Sequence, residues 1–461
     1  MAKFFKCYII VRGDKLKEDT ISAIATAIGT AGIGVIRMSG ENSIEIADKI
    51  FDKDLKKVQD RSIIFGHVKN SAGEIIDEAI ILIMRAPHSY TKENVVEIQC
   101  HGGTAALREV LSRTFEAGAR PAERGEFTKR AFLNGRLDLT QAQAVLDIIQ
   151  AKTSTALSVA QNQLLGKTSK KIREIRQNIL DVLAHIEALI DFPEDDIDDI
   201  FIGDIDKKIA AQIEEIKIFL DNQKSGRILR EGLETAIIGK PNVGKSSLLN
   251  FLAETDRAIV TDIPGTTRDS IEEFVNIGGV PLKIIDTAGI RNSDNPVEKI
   301  GIERAKDCAS RAELILALFD GARELSTEDF EILKIIENRN AIILVTKSDL
   351  PQLIDVTKFE SFIPISVKKN LGVEKFLSTI TEKVGNVNAE MNFVRDEREA
   401  DLLRRAVKNL EEARFTLQKN IGVDFISIDL RTALEFLSEL TGESVTEDVI
   451  DEIFSKFCIG K

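Results

Sequence analysis

The chain has 461 residues, of which 43% are hydrophobic and 30% are charged, and this balance predicts two to four globular domains rather than a disordered or fibrous chain. Its net charge of −13 excludes a basic coat for nucleic acid over the whole chain, although a local basic patch is compatible with it. No run of about 18 uncharged apolar residues occurs, so we expect no membrane insertion. The four cysteines lie far apart without a CxxC pair, which indicates the reducing cytoplasm and argues against a disulfide framework or a zinc site.

The chain begins with a basic N-terminal extension, residues 1–18, that lacks the apolar core of a signal peptide and the composition of a transit peptide. Residues 19–136 then mix short β-rich runs with glycine turns. We predict strands over residues 34–38, 79–84 and 95–98, and this pattern is typical of an α+β domain.

Apolar residues then recur with a helical period, and residues 137–231 are predicted to form the first part of an all-α helical domain. Thr140 followed by Gln143 resembles a capping box at its first helix. An unbroken helix of about 50 residues would be about 75 Å long, so we predict a break near Gly166. The acidic residues 191–199 are interpreted as a solvated connection between helices.

An α/β section over residues 232–386 interrupts the helical pattern, which resumes over residues 387–461 as the second part of the helical domain. Strand-like runs at 314–319 and 341–345 alternate with helical stretches and predict a largely parallel sheet. The pair Gly278-Gly279 between two apolar runs predicts one antiparallel hairpin in that sheet. The α/β section is therefore predicted to be inserted into the helical domain.

A phosphate-binding loop is predicted near the start of the α/β section. Residues 239–246 are Gly-Lys-Pro-Asn-Val-Gly-Lys-Ser and match GxxxxGK[ST] between a predicted strand and a predicted helix. The glycines let backbone N–H groups face phosphate oxygens, and the helix N-terminus adds partial positive charge. Lys245 is predicted to reach the β- and γ-phosphates, and the Ser246 hydroxyl is predicted to bind Mg²⁺. The alternative is an ordinary glycine turn that opens a helix, but further nucleotide motifs follow in order.

These further motifs identify the nucleotide as GTP. Asp286 opens an Asp-Thr-Ala-Gly segment in which a carboxylate can hold Mg²⁺ through water, and Thr267 suits a second Mg²⁺ ligand. Asp349 of the Thr-Lys-Ser-Asp segment can accept both N1–H and N2–H of guanine, which adenine does not offer, and Ser366 would flank the same base. The predicted GTP contacts are Asn242, Val243, Gly244, Lys245, Ser246, Ser247, Thr261, Asp262, Ile263, Pro264, Gly265, Thr266, Thr267, Asp286, Thr287, Ala288, Gly289, Thr346, Lys347, Asp349 and Ser366.

Two positions depart from the common GTPase pattern. Thr346 stands where most GTPases have asparagine and offers less to the base and to the neighbouring loop, so we expect somewhat weaker nucleotide binding with unchanged specificity. Ile290 stands where Ras-like enzymes have the glutamine that orients the attacking water. Another residue must therefore position that water.

Several segments together resemble the MnmE (TrmE) family of tRNA-modification GTPases. They are the P-loop with Asn242, the segments 265–269 and 286–291, the N-terminal segments 34–40 and 101–103, and the terminal residues 457–461. The resemblance covers about residues 19–461. It implies a folate-binding, dimerising N-terminal domain and a homodimer that forms a heterotetramer with the FAD-dependent MnmG (GidA) protein. It also implies that this pair uses a folate-borne one-carbon unit to add an aminomethyl-type group to C5 of the wobble uridine, U34, of certain tRNAs.

The resemblance assigns a folate site as well. It implies that a 5-formyl- or methylene-tetrahydrofolate contacts Arg37, Glu97, Arg136 and Lys461, with Arg136 where the family often has lysine. Cations suit the glutamate tail of a folate, and a carboxylate suits the donor edge of its pterin. Considered alone, Arg37 and Glu97 would be interpreted as surface ion-pair residues and Lys461 as a frayed terminus. Cys458 is either a nucleophile or a small buried apolar residue.

For catalysis the resemblance implies a potassium ion and a glutamate that positions water. The potassium ligands it implies are Asn242, Thr261, Ile263 and Thr266. Asn242 would supply a side-chain oxygen and the following loop would supply backbone carbonyls. Glu298 matches the family residue that helps to place the hydrolytic water. The catalytic residues it implies are Lys245, Arg291 and Glu298.

The sequence is also compatible with two other functions. A ribosome-assembly GTPase uses the same P-loop but usually appends a basic RNA-binding module or a second G domain, whereas the segment after Arg395 is acidic to mixed and helical. A nucleotide switch that only scaffolds a partner would have no role in one-carbon chemistry. Folate binding would distinguish this switch from the enzyme.

Overall fold

The computed structural model describes residues 19–191, 199–255, 273–285, 298–384, 392–419 and 422–461. The predictions made for residues 1–18 and for the acidic residues 192–198 lie outside this part of the chain. Within the described ranges, no helix is both long and apolar enough to cross a membrane.

The N-terminal unit is a six-stranded sheet with two helices packed on one face. Its elements are β1 (Ile21–Ile24), β2 (Ile33–Ser39), α1 (Ser43–Ile50), β3 (Ser62–Lys69), β4 (Ile75–Met84), β5 (Val95–His101), α2 (Thr104–Glu116), β6 (Arg120–Pro121) and α3 (Glu126–Leu133). The strand order is β3-β4-β5-β2-β1-β6, and each neighbouring pair is antiparallel except β1 and β6. Apolar residues at alternate strand positions, such as Ile36, Ile81 and Ile98, form the core beneath α1 and α2. The predicted α+β fold and its three predicted strands are confirmed.

The first part of the helical domain contains α4 (Leu139–Gln150), α5 (Ser154–Leu164), α6 (Lys167–Asp191), α7 (Asp199–Asp221) and α8 (Gln223–Glu231). The predicted break is confirmed, because Gly166 lies between α5 and α6 with a φ of +80°, which glycine adopts at little cost. The capping box predicted at Thr140 and Gln143 is wrong. Asp138 is the N-cap: its carboxylate accepts from the Gln141 backbone N–H at 3.0 Å, and the Gln141 side chain accepts from the Asp138 N–H at 3.0 Å.

The inserted section is a second six-stranded sheet. Its elements are β7 (Leu233–Gly239), α9 (Lys245–Thr255), β8 (Glu273–Ile277), β9 (Val280–Ile285), α10 (Glu298–Arg311), β10 (Leu314–Asp320), α11 (Thr327–Ile336), β11 (Ala341–Thr346), β12 (Ile363–Pro364) and α12 (Val373–Val384). The order is β12-β11-β10-β7-β9-β8, and only β8 runs antiparallel to its neighbour. The predicted hairpin is confirmed by positive φ angles of +60° at Gly278 and +90° at Gly279. Because β10 is covered on both faces, Leu316 and Phe319 enter different apolar clusters.

The second part of the helical domain contains α13 (Glu397–Gln418), α14 (Val423–Thr441) and α15 (Glu447–Ser455). One apolar core joins both parts, since Ile179 and Ile209 lie in the same cluster as Leu410 and Leu430. A single core formed from both sides of the α/β section is what an insertion into a helical domain requires. The boundaries given above for the domains remain predictions.

Candidate nucleotide and folate sites

The P-loop connects β7 to α9 and has the backbone of a phosphate cradle. Asn242 and Gly244 have φ angles of +60° and +112°. Gly239 has a φ of +155°, and a Cβ there would lie 2.7 Å from the Leu318 carbonyl oxygen, so a side chain is excluded. The Lys245 Nζ donates to the carbonyl oxygens of Gly239 at 2.6 Å and Lys240 at 2.7 Å. Burial lowers the pKa of Lys245 to about 8, and a bound phosphate would reverse this effect.

The predicted guanine-recognition segment, residues 346–349, begins at the last residue of β11. The Lys347 ammonium lies 2.6 Å from an Asp320 carboxylate oxygen, which holds its side chain along the end of β10. The Ser366 hydroxyl bonds the Asp349 carboxylate and is the largest influence lowering the pKa of Asp349. The structure therefore brings together the two residues predicted to read and flank the base, and the lowered pKa of Asp349 favours the ionised carboxylate that the predicted guanine contact needs.

A buried hydroxyl joins the guanine-recognition segment to the P-loop. The Thr346 Oγ1 lies 2.7 Å from the Val243 carbonyl oxygen and 3.1 Å from that of Phe319, and Thr346 is 7% exposed. The sequence predicted that threonine offers less than asparagine to the neighbouring loop, yet this hydroxyl reaches the loop directly. Its effect on GTP affinity stays a prediction.

Ser246 and Ser247 lie in α9, and the other predicted nucleotide and metal residues fall outside the described ranges. They are Thr261, Asp262, Ile263, Pro264, Gly265, Thr266, Thr267, Asp286, Thr287, Ala288 and Gly289. Ile290 and the predicted catalytic residue Arg291 lie outside these ranges as well. Glu298 is the first residue of α10, and its side chain also lies outside the described part. Of the residues assigned to potassium and magnesium, the structure therefore places Asn242 and Ser246.

The N-terminal sheet holds a guanidinium–carboxylate pair at the position predicted for folate. Arg37 of β2 and Glu97 of β5 are direct cross-strand neighbours, and the Arg37 Nε and Nη2 both lie 2.8 Å from the Glu97 Oε1. Their side chains are 18% and 16% exposed. The Arg37 guanidinium also lies 5.8 Å from the ring centroids of both Tyr90 and Phe127. The pair is thus half-buried and bordered by two aromatic rings, rather than a free surface ion pair.

The C-terminus of the chain returns to this pair and is not frayed. The Phe127 N–H donates to the Lys461 carbonyl oxygen at 3.2 Å. Gly460 has a φ of +92°, and a Cβ there would lie 2.2 Å from the Ile24 carbonyl oxygen, so the tail packs against β1 through a glycine. Burial and the Arg37 charge lower the pKa of Lys461, while Glu97 acts in the opposite direction. Lys461 therefore lies within electrostatic range of the Arg37–Glu97 pair.

Arg136 and Cys458 complete the predicted set. The Arg136 guanidinium lies 4.7 Å from the Tyr90 ring centroid, and its Nη1 donates to the Tyr90 carbonyl oxygen at 3.2 Å. Tyr90 is therefore flanked by Arg37 and Arg136, a role that the sequence analysis missed. Cys458 is exposed, so the interpretation of this residue as a small buried apolar group is wrong.

Two family models match the chain: the MnmE helical domain over residues 139–458 and the N-terminus of the GTP-binding protein TrmE over residues 20–136. The tRNA modification GTPase MnmE of Clostridioides difficile (strain 630) is 47% identical over 96% of this chain and 99% of its own length. That of Desulforamulus reducens is 48% identical over 96% of this chain and 100% of its own length. The chain belongs to the MnmE family of tRNA modification GTPases.

Membership of the MnmE family confirms the predicted family, the multidomain fold with its P-loop GTPase domain, and the enzyme class, a GTP hydrolase. Among solved structures, the G domain of the T. maritima FeoB iron transporter is similar at 25% identity over 33% of this chain and 99% of that chain. Its TM-score of 0.25 is too low to add to the assignment.

Proposed function

We propose that the chain hydrolyses GTP to drive modification of C5 of the wobble uridine, U34, in certain tRNAs. It would act in the cytoplasm with the FAD-dependent MnmG (GidA) protein and add an aminomethyl-type group whose carbon comes from a tetrahydrofolate derivative. The observation that supports this best is the return of the C-terminus to the N-terminal sheet: the Lys461 carbonyl oxygen accepts from the Phe127 N–H at 3.2 Å, and the Phe127 ring lies 5.8 Å from the guanidinium of Arg37, the partner of Glu97. A GTPase that acts only as a switch has no need for such a site.

The chemistry of the site fits a 5-formyl- or methylene-tetrahydrofolate. Glu97 uses its Oε1 for Arg37, which leaves its Oε2 for the N–H donors of a pterin. Lys461 and Arg136 would bind the carboxylates of the glutamate tail. The negative charge of these carboxylates would raise the lowered pKa of Lys461. Tyr90, which is partly exposed, would supply aromatic surface beside the pterin, whereas Phe127 is fully buried beside Arg37.

For hydrolysis, Mg²⁺ would be held by Ser246 and Thr267. A potassium ion bound by Asn242 and by backbone oxygens of Thr261, Ile263 and Thr266 would add positive charge at the phosphates, as a finger cation does in other GTPases. Glu298 would help to position the attacking water in place of the missing glutamine, and Arg291 and Lys245 are the other proposed catalytic residues.

The open face of the N-terminal sheet supports a homodimer. Ile33, Ile63, Phe65 and Ile80 are exposed there, and Phe65 and Ile80 are direct cross-strand partners. Strand pairing places these side chains on the same face as Arg37. An exposed apolar face marks a protein contact, and a second copy would cover it through the same surface.

Reconstitution tests the proposal. The purified chain, the flavin-dependent partner, GTP, Mg²⁺, K⁺, methylene-tetrahydrofolate, an ammonium salt as the source of the amino nitrogen, and unmodified tRNA are mixed, and each component is omitted in turn. We expect the wobble uridine to gain the aminomethyl-type group only in the complete mixture, as measured by mass spectrometry of nucleosides. Modification without folate or without GTP would contradict the proposal.

A further inference from the structure

The side chain of Lys240, the second residue of the P-loop, reaches from the loop to the start of α11. Its ammonium donates to the Ser326 Oγ at 2.8 Å and lies 3.1 Å from the Asp329 Oδ2. Ser326 is the N-cap of α11, and Asp329 lies in the first turn of that helix. We call Lys240, Ser326 and Asp329 the α11 anchor.

The α11 side of the anchor is fixed and shielded from solvent. The Asp329 Oδ2 also accepts from the Ser326 backbone N–H and from the Ser326 hydroxyl, both at 2.9 Å, and Asp329 is 6% exposed. Asp320, another acid beside the loop, is paired with Lys347 at 2.6 Å. The Lys240 charge is therefore met by a carboxylate that is buried and held by further donors.

The backbone of Lys240 lies at the start of the phosphate cradle. Its carbonyl oxygen accepts from the Lys245 Nζ at 2.7 Å, and Lys245 is the residue predicted to bind the β- and γ-phosphates. Farther along the loop, the Val243 carbonyl oxygen lies 2.7 Å from the Thr346 hydroxyl. The loop is therefore held at two points, one by α11 and the other by the guanine-recognition segment.

We propose that Lys240 is a positioning residue for GTP, which anchors the empty P-loop to α11 in the shape that the phosphates require. GTP binds only those chains whose loop has this shape, so release of the loop lowers the apparent affinity by the fraction of chains that lose it. The Lys240 ammonium is bonded to Ser326 and Asp329 and does not contact the phosphates in this arrangement. Its loss should therefore slow the association of GTP and leave dissociation unchanged.

Stopped-flow binding of a fluorescent GTP analogue to the full chain, with Mg²⁺ and K⁺ present, tests this role. Lys240→Met keeps the length of the side chain without its charge, and Asp329→Asn weakens the anchor from the α11 side. We expect each variant to slow association about tenfold and to change dissociation by less than about twofold. Because both variants remove the same bond, the double variant should be no slower than the slower single variant.

Two control variants separate the anchor from general effects of charge. Glu328→Gln removes the neighbouring acid from the first turn of α11 and leaves Asp329 in place. Lys240→Arg keeps a cation that donates hydrogen bonds. Both controls should bind the GTP analogue with an association rate within about threefold of the wild-type rate.

Two other roles for Lys240 would give different results. If Lys240 bound phosphate, Lys240→Met would speed dissociation, and Asp329→Asn would free a cation and tighten binding of the nucleotide. If the anchor only stabilised the domain, both variants would lower the melting temperature and associate with the nucleotide as fast as the wild type. Either result would overturn the proposal.

Discussion

Replacing Thr346 with valine should weaken GTP binding by removing one buried hydroxyl. The Thr346 Oγ1 lies 2.7 Å from the Val243 carbonyl oxygen of the P-loop, and valine keeps the shape of the side chain without the donor. Loss of a buried hydrogen bond that leaves its acceptor without that partner costs about 1–2 kcal/mol. Because the bond holds the P-loop and the guanine-recognition segment together before GTP arrives, this cost should reduce affinity about 5- to 30-fold.

Titration with a fluorescent GTP analogue measures this effect. Thr346→Ser is the matched control, because it keeps the hydroxyl and loses only a methyl group, and its affinity should stay within about threefold of the wild type. Specificity for guanine should be unchanged in both variants, since Asp349 is untouched. Equal GTP affinity in the valine variant and the wild type would refute the coupling of the two loops through Thr346.

Three further predictions concern protons, folate and potassium. Because burial lowers the pKa of Lys245 to about 8 in the free chain and phosphate raises it, GTP binding should take up a proton near pH 8.5 and none near pH 6.5. Calorimetry in buffers of different ionisation enthalpy measures this uptake, and a proton number independent of pH would contradict it. Arg37→Gln and Glu97→Gln should each weaken binding of 5-formyl-tetrahydrofolate about 10- to 150-fold and leave GTP hydrolysis intact, whereas unchanged calorimetric binding would remove the folate site. GTP turnover should be faster in KCl than in NaCl at equal ionic strength, and Asn242→Ala should abolish the difference; equal wild-type rates in both salts would rule out the potassium mechanism.

Local signals in the sequence predicted the features that depend on neighbouring residues. The P-loop between β7 and α9, the hairpin at Gly278 and Gly279, and the break at Gly166 each follow from conformations that glycine allows. The N-cap of α4 shows the limit of such signals. Asp138 and Thr140 are both polar and each has a glutamine three residues later, so the local pattern does not distinguish them.

Contacts between distant residues were not predictable from spacing. The bond from Thr346 to Val243 joins residues 103 positions apart, and Tyr90 lies between two arginines that are far from it in the chain. The place of Lys461 beside Arg37 depends on how the tail after α15 packs against β1. The resemblance to a family suggested that place, but no periodicity or composition in this chain does.

Nucleoside analysis of tRNA from cells that lack this protein tests the central claim most directly. The account predicts that the C5 modification of the wobble uridine disappears from the affected tRNAs. It predicts that the wild-type gene restores the modification fully, and that genes carrying Glu97→Gln or Asp349→Asn restore it less, since these variants weaken folate binding and GTP recognition respectively. Unchanged wobble uridines in the deletion strain would contradict the account.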